Sequence, residues 1–161
     1  MNDDNNKNNS LEENKVLTEK FIELTWNKGR FNLAGHLVRR DFKYHISLLN
    51  QTFEYDLAVK IIQMIRSSME DFEVSIEDII AEGDKVVTQS SFCGTLIKPM
   101  LGFKPSSNIV TFSAVSFWQM KKGKVQSLST LLDTAELMRQ MEHESNNLEL
   151  NIEALKTSYN P

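Results

Sequence analysis

Residues 109–132 read IVTFSAVSFWQMKKGKVQSLSTLL, and this stretch decides the fold. Two runs rich in β-branched and aromatic residues, Ile109 to Met120 and Lys124 to Leu132, flank Lys121-Lys122-Gly123, the signal of a tight hairpin turn. Upstream, Lys85 to Leu96 reads as another long strand entered through the turn Glu82-Gly83-Asp84. Phe72 to Ile79 begins with strict alternation, a further strand. Farther toward the amino end the period becomes helical. Leu57, Ile61, Met64 and Ile65 place a helix over about Tyr55 to Ser68. Val16, Leu17, Phe21 and Leu24 place another, running from the capping box Ser10-Leu11-Glu12-Glu13 through Trp26 and stopped by Gly29. Between them, Asn32 to Val38 reads as a shorter helix and Phe42 to Ile46 as a short strand ending in His45. A last helix follows Asp133 through Ala135, Leu137 and Met138.

Helices first and hairpins after is an α+β order, not the alternating βαβ of nucleotide-binding folds. Strands of about ten residues exceed the usual length and should curl strongly. The expected architecture is a cone-shaped curled antiparallel sheet of four strands, with room for short extra ones, capped by three N-terminal helices. Such a cone encloses a concavity, the shape that small-molecule sites favour.

Composition narrows the function. The chain has 161 residues with 18 Lys+Arg against 22 Asp+Glu, a formal charge of −4, so it lacks the basic footprint of a nucleic-acid binder. No apolar run is long enough for a membrane helix. Cys93 is alone, and no Cys/His group has metal spacing. No phosphate loop or nucleophile elbow occurs. Residues 1–10 form an Asn-rich leader expected to be disordered, without the basic start and apolar core of a secretory signal. Residues 11–141 are the expected domain, and 142–161 a polar tail. A cytoplasmic location is expected, with secretion through a C-terminal signal left open. In the tail, Leu148, Ile152 and Leu155 share one helical stripe, which reads as either a solvated tail or a docking segment.

Phe21…Trp26-Asn27-Lys28-Gly29, Asp41-Phe42-Lys43-Tyr44-His45, Ala81-Glu82-Gly83-Asp84-Lys85-Val86-Val87, Gly94-Thr95, Gly102…Pro105, Gly123-Lys124-Val125 and Asp133…Leu137…Gln140 stand in an order that resembles the SnoaL-like polyketide cyclase family, within the nuclear-transport-factor-2-like superfamily. The resemblance implies a curled sheet with a helical cap. It also implies a cofactor-free, metal-free enzyme acting on a small apolar carbonyl compound by proton transfer, with aldol-type ring closure as nearest model. By position, Asp133 would be the acid/base, His45 its orienting or electrophilic partner, and Gln119 a hydrogen-bond donor to substrate. Relatives pair through the outer sheet face, so a homodimer is expected. The sequence also departs from the family pattern: Ser127 and Ser129 replace Glu and Trp, and Leu96 replaces a His. A non-catalytic ligand-binding or interaction domain is therefore the alternative.

Each residue also has a structural reading. Asp133 precedes Thr134-Ala135-Glu136 and is placed to cap a helix; Leu131, Leu132 and Phe117 would supply the apolar surround that catalysis needs. His45 alone reads as a packing histidine. Trp118 and Gln119 are adjacent in a strand, so they face opposite sides; position favours Gln119 for the cavity and Trp118 for packing or an interface. Trp26 reads as core at the base of the first helix. With Phe117, these residues complete the candidate substrate-binding set.

Overall fold

The computed structural model describes residues 2–105 and 108–141, with side chains from residue 8 onward. Helix α1 covers Asn2–Ile22 and runs on as a π-helical turn, Glu23–Asn27; α2 is Phe31–Gly35. Strand β1 (Val38–Ile46), a 3-10 turn (Ser47–Leu49) and the short β2 (Gln51–Phe53) lead to α3, Tyr55–Ser68. Four long strands follow, β3 (Met69–Glu82), β4 (Lys85–Leu96), β5 (Ile109–Lys121) and β6 (Lys124–Leu132), and then α4, Thr134–Gln140. One curled six-stranded sheet results, in the order β2-β1-β6-β5-β4-β3.

The expected α+β class holds, and the four long strands pair antiparallel. One pairing differs. Strand β1 lies parallel to β6, with Tyr44 opposite Leu128 and His45 opposite Ser129, making the sheet mixed. No hairpin turn marks a pairing between strands so far apart in sequence. The segment expected as a helix from Asn32 to Val38 stops at Gly35, and β1 begins at Val38. Helix α1 includes most of the Asn-rich leader, so Ser10 stands inside it rather than at its start. The tail stripe Leu148, Ile152 and Leu155 lies outside the described residues.

The sheet's inner face holds the core. Phe21 of α1 packs edge-on to Trp118 of β5 at 5.5 Å, and Ala58, Ile61 and Ile62 of α3 are buried against the sheet. Full burial of a side chain such as Phe21, Ile61 or Ile62 contributes about 1.5–3 kcal/mol. The π turn positions the base of the cap. Its extra residue carries Asn27 to β3, where its amide pairs with the backbone of Val74: Nδ2 donates to Val74 O at 3.0 Å and Oδ1 accepts from Val74 N at 2.8 Å. Strand β3 bends where its register slips between Glu70 and Glu73, and there it crosses Gly94. A Cβ at Gly94 would lie 3.2 Å from Glu70 O and 3.3 Å from Phe72 Cα, so the close crossing favours glycine.

Candidate functional site

Between the cap and the sheet's inner face lies an apolar cavity of about 50 Å³. The alternation of β1 turns Tyr44 and Ile46 into it, and β4 and β5 supply Phe92 and Phe112. These two rings stack at 5.2 Å and 8°, and Trp26, on the π turn, meets Phe92 edge-on at 5.3 Å. Ile61 and Ile65 of α3 close one side, and Leu137 of α4 another. The last wall is a loop, the turn Met100–Phe103 between β4 and β5. Its buried side chains Met100, Leu101 and Phe103 all reach the cavity.

The polar groups nearby are spent on one another. Tyr44 Oη is 3.1 Å from Thr130 Oγ1, which is 2.9 Å from Ser116 Oγ, a line of three buried hydroxyls behind the wall. Burial pushes the Tyr44 phenol up to about 12, opposed by the Thr130 hydrogen bond, so it stays protonated at neutral pH. Trp118 Nε1 donates to Thr88 Oγ1 at 3.0 Å. Among the described residues lining the cavity there is no carboxylate, imidazole or amine. No group of His, Cys, Asp and Glu among the described residues could hold a metal ion.

The residues singled out from sequence fall into four places. Trp26 lines the cavity, and Trp118 is buried in the core beside Phe21. His45, Phe117 and Gln119 face the other way, into an open depression of about 340 Å³ on the outer sheet face, together with Lys43 and Lys85. This corrects the orientation expected for Gln119 and sets His45 apart from Asp133, its expected partner. With Trp118 turned inward, strand alternation turns Gln119 outward, as Tyr44 and Ile46 do His45. His45 Nδ1 shares a hydrogen bond with Thr52 Oγ1 at 3.1 Å, and Lys43 pairs with Glu54 at 2.8 Å, holding the Glu54 carboxyl below its usual range. Asp133 is exposed and caps α4, its Oδ1 accepting from Glu136 N at 2.9 Å. Its expected apolar surround is split: Leu131 and Phe117 are about half exposed on the outer face, and Leu132 alone turns to the inner cavity. Asp133 lines neither the cavity nor the depression that holds His45 and Gln119. Tyr44 and Thr130 were missed as candidates. The alternation Phe42, Tyr44, Ile46 carried the signal for the first of them.

The curled six-stranded sheet and its helical cap define an α+β fold of the nuclear-transport-factor-2-like type. The family model for the SnoaL-like polyketide cyclase matches residues 16–141, and the chain belongs to this family. Solved structures share the fold. A protein described as a SnoaL-like polyketide cyclase from Jannaschia Sp. CCS1 superposes with a TM-score of 0.71 at 22% identity, covering 79% of this chain and 90% of that one. AclR from Streptomyces galilaeus, described as a hydroxylase, gives 0.68 at 20% identity over 81% and 96%. IdmH from Streptomyces antibioticus, described as a polyketide cyclase, gives 0.66 at 18% identity over 76% and 94%. No curated protein matches the chain in sequence.

Proposed function

We propose that this SnoaL-like chain is a binding domain that holds a small, uncharged, apolar molecule inside its cone. The observation that carries the reading is the lining: apolar side chains throughout, with the hydroxyls of Tyr44 and Thr130 already bonded. A charged or polyhydroxylated ligand would lose its hydration there with nothing to replace it. Proton transfer by Asp133 and His45 fits less well, because one caps a helix and the other lies on the outer face. The outer face suits a second copy of the chain. Ile80, Phe117 and Leu131 are 61%, 49% and 50% exposed there, and Phe117 pairs across to Val87, which pairs to Ile80. Phe117→Glu is expected to leave a monomer by light scattering.

The uncharged fluorophore N-phenyl-1-naphthylamine tests the site. Wild-type protein is expected to bind it saturably. Ile65→Phe, which fills the cavity, is expected to weaken binding at least tenfold. Asp133→Asn and Gln119→Ala are expected to leave it unchanged. Loss of binding in either of the last two, with Ile65→Phe binding normally, overturns the reading.

A further inference from the structure

We infer that Tyr44 sets what the inner cavity accepts: its phenol donates a hydrogen bond into the cavity and selects an apolar molecule that carries an uncharged acceptor atom. This rests on the reading of that cavity as the ligand site and narrows it. The inference comes from counting hydrogens. Tyr44 Oη, Thr130 Oγ1 and Ser116 Oγ are hydroxyls, each with one hydrogen to give and lone pairs to receive. The contacts of 3.1 Å and 2.9 Å satisfy all three oxygens, yet two hydrogen bonds use only two of the three hydrogens. Among the described residues these hydroxyls have no further partner. One O–H is left over at an end of the line.

Place and count together decide which end serves a ligand. Tyr44 and Thr130 line the cavity, and Ser116, at the other end, does not. In both contacts either oxygen can be the donor, so the line can run in two directions. Run from Tyr44 to Ser116, it leaves the spare hydrogen on Ser116, away from the cavity. Run from Ser116 to Tyr44, it puts that hydrogen on the phenol, at the cavity wall. An acceptor beside Tyr44 completes the second arrangement, and all three hydrogens are then bonded. A ligand that offers a hydrogen of its own meets the first arrangement and leaves the Ser116 hydrogen unused. The count therefore favours an acceptor, since a buried donor without a partner is costly. The phenol keeps its proton at neutral pH, because burial pushes it up to about 12. It is also held firmly. Tyr44 stands mid-sheet on β1, opposite Phe53 of β2 and Leu128 of β6, so a paired strand presents the donor.

The test compares acetophenone with ethylbenzene, two molecules of nearly the same shape that differ in one acceptor oxygen. Each is titrated as a competitor of bound N-phenyl-1-naphthylamine, and the ratio of the two affinities is the readout. Tyr44→Phe removes only the hydroxyl, and is expected to lower the ketone's relative affinity about threefold to tenfold, the worth of one neutral hydrogen bond. Thr130→Val frees the phenol from its protein partner without removing it, and is expected to hold the ratio at or above the wild-type value. The carbonyl stretch of bound, carbon-13-labelled acetophenone is expected at lower frequency in wild-type protein than in Tyr44→Phe. An equal ratio in wild type and Tyr44→Phe, an equal fall in Thr130→Val, or a carbonyl stretch that does not differ overturns the role of Tyr44 while leaving the cavity reading intact. Failure of wild-type protein to bind N-phenyl-1-naphthylamine or either competitor overturns the cavity reading, and the role of Tyr44 with it.

Discussion

Replacing Asp133 separates its role as a helix cap from any role in proton transfer. Its Oδ1 accepts the Glu136 N–H at 2.9 Å, satisfying one of the amides that the first turn of α4 leaves without an intrahelical partner. Helix α4 has seven residues, too short to be stable alone. Its docking rests on buried Leu137 and on Gln140, whose amide bonds both backbone groups of Thr111, Nε2 to O at 2.6 Å and Thr111 N to Oε1 at 2.9 Å. Asp133→Ala removes the cap and is expected to cost about 1 kcal/mol. That is a fall of roughly 2–4 °C in melting temperature for a chain of this size. Asp133→Asn keeps a side-chain oxygen at the same place and is expected to stay within about 0.5 kcal/mol of wild type. Thermal unfolding followed by circular dichroism gives both values. Asparagine costing as much as alanine, or alanine costing nothing, refutes the capping argument. Turnover of a carbonyl substrate abolished by Asp133→Asn at unchanged stability would return the residue to catalysis.

Gly29 has φ 63°, and a Cβ there would lie 1.9 Å from Arg66 Nη1, displacing the guanidinium whose Nη2 donates to Asn27 O at 3.1 Å. Gly29→Ala is therefore expected to cost about 2–4 kcal/mol from the left-handed backbone and the lost charged hydrogen bond. In an Arg66→Ala background that cost should shrink by at least about 1 kcal/mol, and equal costs in both backgrounds would refute the contact. Burial raises the phenols of Tyr44 and Tyr55 to about 12. With the folded-state value above the unfolded one near 10, their stabilising contribution is full below about pH 10 and is lost as pH rises toward 12. Melting temperature should fall over that window, and less steeply in Tyr44→Phe; parallel curves would contradict this.

How much was legible depended on the range of the interaction. The hairpin at Lys121-Lys122-Gly123 announced itself, and Lys122 and Gly123 do take positive φ. The period of Leu57, Ile61, Met64 and Ile65 located α3, whose structural bounds are Tyr55–Ser68. The helix-capping pattern at Asp133 was equally local and equally readable. What escaped was non-local. The parallel pairing of β1 with β6 leaves no turn signature, and the π turn at Glu23–Asn27 answers to Val74, 47 residues from Asn27. Orientation was half legible. Alternation placed Trp118 and Gln119 on opposite faces, but only the cap, through Phe21, decides that the tryptophan is the inner one. Family position suggested a site gathered around Asp133, His45 and Gln119, yet these residues stand apart from the inner cavity.

Xenon tests the central claim most directly, since it seeks dry apolar cavities, and a single atom suits a space of about 50 Å³. In crystals held under xenon pressure, the anomalous density is expected inside the cone, among Tyr44, Phe92, Phe112 and Leu101. An empty cone, with xenon only in the outer depression beside His45, Phe117 and Gln119, would contradict the account.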